Sequence, residues 1–319
     1  MTSSLPVIRT VSLLGSGLIG GGWAALSLAH GLDVVVWDPA EDAAARLHSL
    51  IERAWPSLQM LGLAQGADRS RVRFVGSAAE AVAIGDFVQE SGPERLEIKR
   101  ALLREVIPSL REGVVLASST SAFTVTELLS EGPRCERFVI GHPFNPPYLV
   151  PLVEVAGADF TDPAAIEAAF AFYKRLARVP VTMVREAPGF IANHLQAALF
   201  REALHLVNEG IATPEQIDAC LVHGLAPRWS AIGPFMVMHL AYARSGIAGY
   251  FPSFDLGSER LLAHLPPPIR NASLEAAMSE GCERLMAGRS RSAVEAQRDR
   301  TLAAVLRAQR ETIVDPSGK

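Results

Sequence analysis

A glycine-rich run near the start of the chain constrains the fold most. Gly15–Gly20 reads GSGLIG and stands between the β-rich run Val11–Leu14 and the helical pattern Trp23–Ala29. Glycines at the first, third and sixth positions allow a tight turn, close approach of the backbone to a pyrophosphate, and close packing of helix on strand. A strand, this loop and a helix in that order form the context that a dinucleotide-binding fingerprint requires.

An acidic residue follows the second predicted strand, Val34–Trp37. Asp38 lies roughly 20 residues beyond the loop, where a carboxylate accepts hydrogen bonds from an adenosine ribose. Because a carboxylate there repels a 2′-phosphate and Pro39 adds no charge, NAD is favoured over NADP. A glycine turn without ligand, with Asp38 as a helix cap, is the alternative. The expected cofactor contacts are Gly15, Gly17, Leu18, Ile19, Gly20 and Asp38.

The first part of the chain alternates short apolar runs with amphipathic stretches, which predicts an α/β fold with a Rossmann-type, doubly wound, mostly parallel sheet. Such a sheet binds ligands beyond the C-terminal ends of its strands. After Glu186–Gly189 the remaining segments are helical, and Thr213-Pro214 is typical of a helix start, with Thr as cap and Pro in the first turn. We expect an NAD-binding domain at 1–187 and an all-α substrate and dimerisation domain at 188–319.

Composition excludes several classes of protein. Of 319 residues, 49% are hydrophobic and 20% charged, as in globular proteins. The net charge of −4 and the absence of a charge block argue against a nucleic acid or an anionic membrane as partner. The three cysteines are distant and form no CxxC pair, which indicates reduced thiols. With no signal-peptide pattern and no apolar run of about 18 residues, we expect a cytoplasmic protein.

Four further segments stand in a specific order and spacing. They are Ser118–Ser121 (SSTS), 142–146 (HPFNP), Leu152–Val155 (LVEV) and 188–193 (PGFIAN). Together with the glycine loop they resemble the 3-hydroxyacyl-CoA dehydrogenase family over nearly the whole chain. The closest resemblance is to its branch acting on free 3-hydroxy acids, which includes L-carnitine dehydrogenases and the L-gulonate 3-dehydrogenases of the lambda-crystallin group.

The resemblance implies a role for each of four residues in oxidising a secondary alcohol with NAD. His142 would accept the hydroxyl proton near neutral pH. Glu154 would hold the other ring nitrogen and stabilise the imidazolium. Ser121 and Asn193 would hydrogen-bond the substrate oxygen. Structural roles are the alternative for each: a loop or core histidine, a buried ion pair, a turn serine, and an asparagine that cross-links helices.

Two further residues, Glu94 and Lys99, match a family segment beside the nicotinamide end of the cofactor. The other histidines show no metal-ligand pattern, so no metal site is expected. The family's helical domain forms the dimer interface, which implies a homodimer.

The sequence determines the substrate less closely than it determines the cofactor and the reaction. The segment 40–71 is shorter than the helical hairpin of CoA-thioester enzymes and contains no lysine, which favours a free 3-hydroxy carboxylate. The four arginines of this segment would bind the phosphates of CoA if the substrate were a thioester, or would be solvated charges on a helix surface. Arg228 is a candidate to bind the carboxylate and Trp229 to contact a trimethylammonium group. A 3-hydroxyacyl-CoA dehydrogenase and a non-catalytic NAD-binding, crystallin-like protein remain alternatives.

Overall fold

The computed structural model describes residues 7–241 and 287–312. Within them, one sheet of eight strands follows the order β3-β2-β1-β4-β5-β6-β7-β8. The strands are β1 Thr10–Leu14, β2 Asp33–Trp37, β3 Val72–Phe74, β4 Phe87–Glu90, β5 Val115–Ser118, β6 Phe138–Pro143, β7 Leu152–Ala156 and β8 Val179–Thr182.

The strands are parallel except where β6 meets β7, which are antiparallel. The predicted mostly parallel, doubly wound sheet is therefore confirmed. β1 pairs with β2 on one side and with β4 on the other, so the strand order reverses beside the glycine loop. Ligands of such sheets bind at this reversal.

Helices cover both faces of the sheet and then make up the rest of the described chain. They are α1 Leu18–Ala29, α2 Ala43–Leu61, α3 Ala78–Ile84, α4 Leu96–Val106, α5 Val125–Leu129, α6 Pro163–Arg175, α7 Phe190–Asn208, α8 Pro214–Cys220, α9 Ala226–Ile232, α10 Pro234–Ala241 and α11 Arg291–Thr312. The strands of the first part and the helices after Gly189 match the predicted order. The short helices α3, α4 and α5 were not predicted.

Alternate residues of each strand point to opposite faces of the sheet. Val34 and Val36 belong to the apolar cluster that includes residues of α1, α2 and α6, whereas Val35 belongs to the cluster that includes residues of α3, α4 and α5. Both faces are thus covered, which explains why the strands are continuous apolar runs rather than alternating ones.

The predicted helix start at Thr213 is confirmed. The Thr213 side chain accepts from the Gln216 backbone N–H, the Gln216 side chain accepts from the Thr213 backbone N–H, and Pro214 occupies the first turn. These reciprocal bonds satisfy two of the N–H groups that a helix start leaves without partners.

The chain divides into two compact units. The first contains the described residues up to Asn193 together with Asp299–Ala308, and the second contains the described residues of His194–Arg298 and Gln309–Lys319. Among the described residues, no helix is long and apolar enough to cross a membrane.

Candidate active site

The glycine loop joins β1 to α1, and its three glycines differ in their surroundings. Gly15 has φ +96°, and an added Cβ would lie 2.8 Å from the Ser91 carbonyl oxygen. A Cβ on Gly20 would collide with the Gly15 carbonyl. A Cβ on Gly17 would meet nothing within 4 Å. The loop is therefore packed tightly on the protein side and open at Gly17, where a pyrophosphate needs room.

A cavity of about 720 Å³ extends from this loop. It joins the carboxyl ends of β1, β2 and β4. Its lining includes the loop residues Gly15, Gly17, Leu18 and Ile19, together with Asp38, Arg46, Ser91 and Gly92. Apart from the tightly packed Gly20, the glycine-loop residues and Asp38 expected to hold a dinucleotide thus surround one cavity. Glu94 and Lys99, expected beside the nicotinamide end, are not among its lining residues.

Asp38 lies at the end of this cavity beside β2. Its Oδ2 accepts from the Ser16 backbone N–H at 2.7 Å and from the Ser16 hydroxyl at 2.8 Å, and its Oδ1 accepts from the Ala40 N–H at 3.0 Å. Partial burial raises the pKa of Asp38, but these hydrogen bonds outweigh burial, and the net pKa is below its ordinary value. Since each carboxylate oxygen accepts about two bonds, Oδ1 keeps capacity for a ribose hydroxyl.

His142 and Glu154 face each other across the antiparallel strand pair. His142 on β6 is in register with Glu154 on β7. Directly opposite residues project to the same face of a sheet, so the side chains meet, with Nδ1 at 2.8 Å from Oε2. His142 lies within β6, where strand pairing holds its backbone.

The other oxygen of Glu154 caps a helix. Oε1 accepts from the backbone N–H groups of Ile191 and Ala192, at 2.8 and 2.9 Å, in the first turn of α7. Burial raises the pKa of Glu154, but the hydrogen bonds from His142, Ala192 and Ile191 outweigh burial and hold it below its ordinary value. Glu154 is therefore an anion whose two oxygens are both committed, which fixes its position against His142.

Phe190 begins α7 in an uncommon conformation. Its φ is +54°, in the left-handed region that non-glycine residues rarely adopt, and its side chain is buried. Its ring lies 5.1 Å from the imidazole of His142, and the Phe144 ring lies 4.8 Å from it. The imidazole thus contacts two aromatic rings in addition to Glu154.

Ser121 and Asn193 also lie near each other. Asn193 Nδ2 donates to the Ser121 carbonyl at 3.2 Å. Glu94 Oε1 accepts from the Ser121 N–H at 2.7 Å and from the Thr120 hydroxyl at 2.6 Å. Burial raises the pKa of Glu94, but the hydrogen bond from the Thr120 hydroxyl and the charge of Lys99 outweigh burial, so the net pKa is below its ordinary value. Glu94 thereby shapes the turn that carries Ser121.

Lys99 is buried, with 1% of its side chain exposed, and is surrounded by acceptors. Its Nζ lies 2.9 and 3.0 Å from the two oxygens of Glu90, 3.3 Å from the Gly92 carbonyl, and 3.4 Å from Glu94. Glu90 was not singled out from the sequence. The detectable signal was a glutamate at the C-terminal end of an otherwise apolar strand, at the edge where such sheets bind ligands.

The two proposed substrate contacts, Arg228 and Trp229, lie in α9 of the second compact unit. Both side chains are exposed, Trp229 to 38%. Within the part of the chain that the structure describes, no group of three or more His, Cys, Asp or Glu side chains is arranged to hold a metal ion.

Comparisons with known proteins show which family the sequence matches. A family model described as "3-hydroxyacyl-CoA dehydrogenase, NAD binding domain" matches residues 10–187, and one described as "3-hydroxyacyl-CoA dehydrogenase, C-terminal domain" matches residues 189–281. An L-carnitine dehydrogenase of Nocardiopsis dassonvillei is 47% identical over 304 residues, covering 95% of this chain and 92% of that protein. One of Streptomyces griseus subsp. griseus is 47% identical over 301 residues, covering 94% and 90%.

A solved structure is also similar. It is a 5-formyl-3-hydroxy-2-methylpyridine 4-carboxylic acid 5-dehydrogenase, described as an NAD+ dependent dismutase. It superposes with a TM-score of 0.80 at 28% identity, covering 95% of this chain and 99% of that one.

Proposed function

The chain belongs to the 3-hydroxyacyl-CoA dehydrogenase family and is an NAD-dependent oxidoreductase acting on CH–OH groups; from this premise we propose that it oxidises the 3-hydroxyl of L-carnitine to the ketone. The observation that carries the proposal is the 47% identity to L-carnitine dehydrogenase over nearly the whole of both chains. L-Gulonate, a second free 3-hydroxy acid named by the resemblance, is the alternative.

The proposed base is the His142–Glu154 pair. Because Glu154 is an anion, it accepts a hydrogen bond from Nδ1–H, which leaves the lone pair on Nε2. Among the described residues, Nε2 has no hydrogen-bond partner, so it is available to take the proton of a substrate hydroxyl. Glu154 then stabilises the imidazolium that results. The reverse reaction uses the same groups with the proton returned from Nε2.

The residues present fit NAD. Gly17 leaves open space at the start of α1, where free backbone N–H groups bind phosphate, and Asp38 keeps one acceptor position for the adenosine ribose. When bound, NAD accepts the hydride from carbon 3. We propose that Glu94 and Lys99 support the nicotinamide end indirectly, because Lys99 is buried against Glu90 and Glu94 holds the Ser121 turn.

Ser121 and Asn193 are the proposed contacts of the substrate oxygen. The support is their proximity, with Asn193 Nδ2 at 3.2 Å from the Ser121 carbonyl. L-Carnitine also carries a carboxylate and a trimethylammonium group. Arg228 is the proposed partner of the carboxylate, because a guanidinium binds a carboxylate bidentately. Trp229 is the proposed partner of the trimethylammonium group, because an aromatic face attracts a cation.

A substrate panel tests the proposal. NADH formation would be followed at an absorbance of about 340 nm with L-carnitine, L-gulonate, L-3-hydroxybutyrate and 3-hydroxybutyryl-CoA. We expect the highest kcat/KM with L-carnitine. Turnover of L-gulonate alone would replace the substrate but keep the free-acid reaction. Absence of turnover of every compound, with NAD still bound, would favour the non-catalytic alternative.

A second candidate function is oxidation of a CoA thioester, which the family description favours. A cavity of about 480 Å³ beside the glycine loop is lined by Arg46 and Arg53 and offers charge for a phosphate. However, Arg46 pairs with Asp42 and Arg53 hydrogen-bonds Ser49. These partners favour solvated helix charges. Free CoA should therefore not inhibit the L-carnitine reaction, and competitive inhibition would favour the thioester.

We also propose a homodimer in the cytoplasm. The second compact unit exposes large apolar side chains that a second copy would cover; they include Leu195, Phe200, Ile211, Phe235 and Leu240, each at least half exposed. Exposed apolar surface that forms a patch is typical of a protein–protein contact. The support for the compartment is that Cys135 and Cys220 are widely spaced in sequence and form no disulfide.

A further inference from the structure

A chain of hydrogen bonds connects the cofactor cavity to the strand that carries His142. Gln89 Nε2 donates to the Ser119 hydroxyl at 2.8 Å and to the Gly141 carbonyl at 3.2 Å, and Gly141 immediately precedes His142. The Ser119 hydroxyl lies 2.9 Å from the hydroxyl of Ser91, which lines the cavity. The sequence motifs assigned no role to Gln89, Ser91 or Ser119.

The neighbours of Gln89 determine which way its amide points. The Gly141 carbonyl can only accept a hydrogen bond, so the amide nitrogen faces it. The amide oxygen then faces the hydroxyl of Tyr173, which donates to it at 2.7 Å. Tyr173 is fully buried, and this burial raises its pKa above the ordinary value, so the phenol keeps its proton. Both amide hydrogens of Gln89 are therefore committed, one of them to Ser119.

The direction of the Ser119 hydroxyl follows from this arrangement. The indole N–H of Trp23 donates to Ser119 Oγ at 3.2 Å, and Gln89 donates to the same atom. A serine hydroxyl accepts about two bonds and donates one. Ser119 therefore donates to Ser91, and Ser91 accepts. The proton of Ser91 has no acceptor among the residues that the structure describes.

The place of Ser91 in the sheet indicates what that proton meets. Asp38 follows β2 and the glycine loop follows β1, whereas Ser91 follows β4 on the opposite side of β1. If Asp38 holds the adenosine ribose and the loop holds the pyrophosphate, Ser91 lies beyond the pyrophosphate. We propose that the Ser91 hydroxyl donates to an oxygen of the nicotinamide riboside half of NAD, and that Ser119 and Gln89 are positioning residues that keep it a donor.

This proposal rests on NAD binding and is independent of which alcohol is oxidised. It also gives the network a role in alignment. One hydrogen-bonded chain would hold the nicotinamide half at Ser91 and the backbone of β6 at Gly141. Gln89 would therefore fix the position of the cofactor relative to His142, which follows Gly141. Catalysis of a hydride transfer requires such alignment of the two reacting carbons.

Binding to the cofactor-free protein tests the proposal without any turnover. Calorimetry would compare NAD, ADP-ribose and ADP, since ADP lacks the nicotinamide riboside. For Ser91→Ala we expect the Kd of NAD to rise by about three- to tenfold, the cost of one hydrogen bond, with ADP unchanged. A rise for ADP-ribose as well assigns the acceptor to the ribose, and a rise for NAD alone assigns it to the carboxamide. An unchanged Kd of NAD, or an equal rise for ADP, would overturn the proposal.

Three further variants test the positioning role. Ser119→Ala should raise the Kd of NAD as Ser91→Ala does, and the double variant should be no weaker than either, because Ser119 acts through Ser91. Ser119→Thr, which keeps the hydroxyl, should restore affinity and shows whether a loss in Ser119→Ala is merely structural. Ser27→Ala is the matched control, since Ser27 is a buried serine of α1 outside the cavity. Additive losses at Ser91 and Ser119 would contradict the mechanism.

Discussion

At the scale of residues, the site combines three buried charged groups with different tasks. Glu154 accepts from an imidazole and from two backbone N–H groups, whereas Glu90 and Lys99 neutralise each other with both side chains almost fully buried. Burial of an unpaired charge is unfavourable by several kcal/mol. The pairs are therefore required for the fold, and the proposed catalytic role of His142 and Glu154 can be separated from this structural role by experiment.

The role of His142 is separated by its alanine variant. His142→Ala should lower kcat for L-carnitine by about 10²- to 10⁴-fold, because general-base assistance is lost. The Kd of NAD should stay within about twofold, since His142 does not line the cofactor cavity. His48→Ala, at an exposed histidine of α2, is the control and should keep wild-type kcat. A His142→Ala enzyme with near wild-type kcat would remove His142 from the mechanism.

Lys99→Met tests the buried pair. It leaves the Glu90 carboxylate without its cation and should lower the free energy of unfolding by about 3–5 kcal/mol in urea titrations. Adding Glu90→Gln should recover much of the loss, because no unpaired charge remains. The comparison is Arg46→Met, which breaks an exposed pair with Asp42 and should cost less than about 1 kcal/mol. Equal losses in the two single variants would show that burial of the pair is unimportant.

At the scale of elements, the pairing of β6 with β7 brings the proposed catalytic residues together. The chain turns back after Pro143, so β7 runs antiparallel and places Glu154 opposite His142. Glu154 also holds the first turn of α7, so one carboxylate joins two strands and the helix that leads into the second unit. A negative charge at a helix N-terminus is favourable, which reinforces the lowered pKa of Glu154.

The free energy of unfolding at acidic pH should depend on the charge of Glu154. Because the folded-state pKa of Glu154 is below its ordinary value of 4.5, its charge stabilises the fold above that pH. The stabilisation is lost as pH falls through the folded-state pKa. Glu154→Gln should therefore be less stable than wild type at pH 7, and the difference in unfolding free energy should shrink below about pH 4.5. A difference that is constant down to pH 3 would contradict the lowered pKa.

At the scale of the whole molecule, the two compact units differ in how they cover their apolar side chains. The first buries two continuous clusters on the two faces of its sheet. The described helices of the second leave large apolar side chains exposed, including Leu195 at 66% and Phe200 at 54% on α7. The proposed second copy of the chain would cover them.

Light scattering during gel filtration checks the proposed dimer. The wild-type mass should be twice the 34.2 kDa of one chain. The double variant Leu195→Asp with Phe200→Asp should elute as a monomer, because buried carboxylates without partners oppose association. Val7→Asp, at an exposed apolar residue of the first unit, should remain a dimer. A wild-type mass of one chain would refute the proposal.

The sequence by itself determined the features whose signals are local. Backbone requirements at Gly15, the strand and helix on either side, and Asp38 directly after the next strand specified the NAD-binding half and its parallel sheet. The tertiary structure decided which distant side chains meet: His142 opposite Glu154, Glu154 on α7, Lys99 against Glu90, and Ser91 next to Ser119. The physical reason is that local patterns set each residue's backbone, whereas strand register and helix packing set the distances between side chains far apart in the chain.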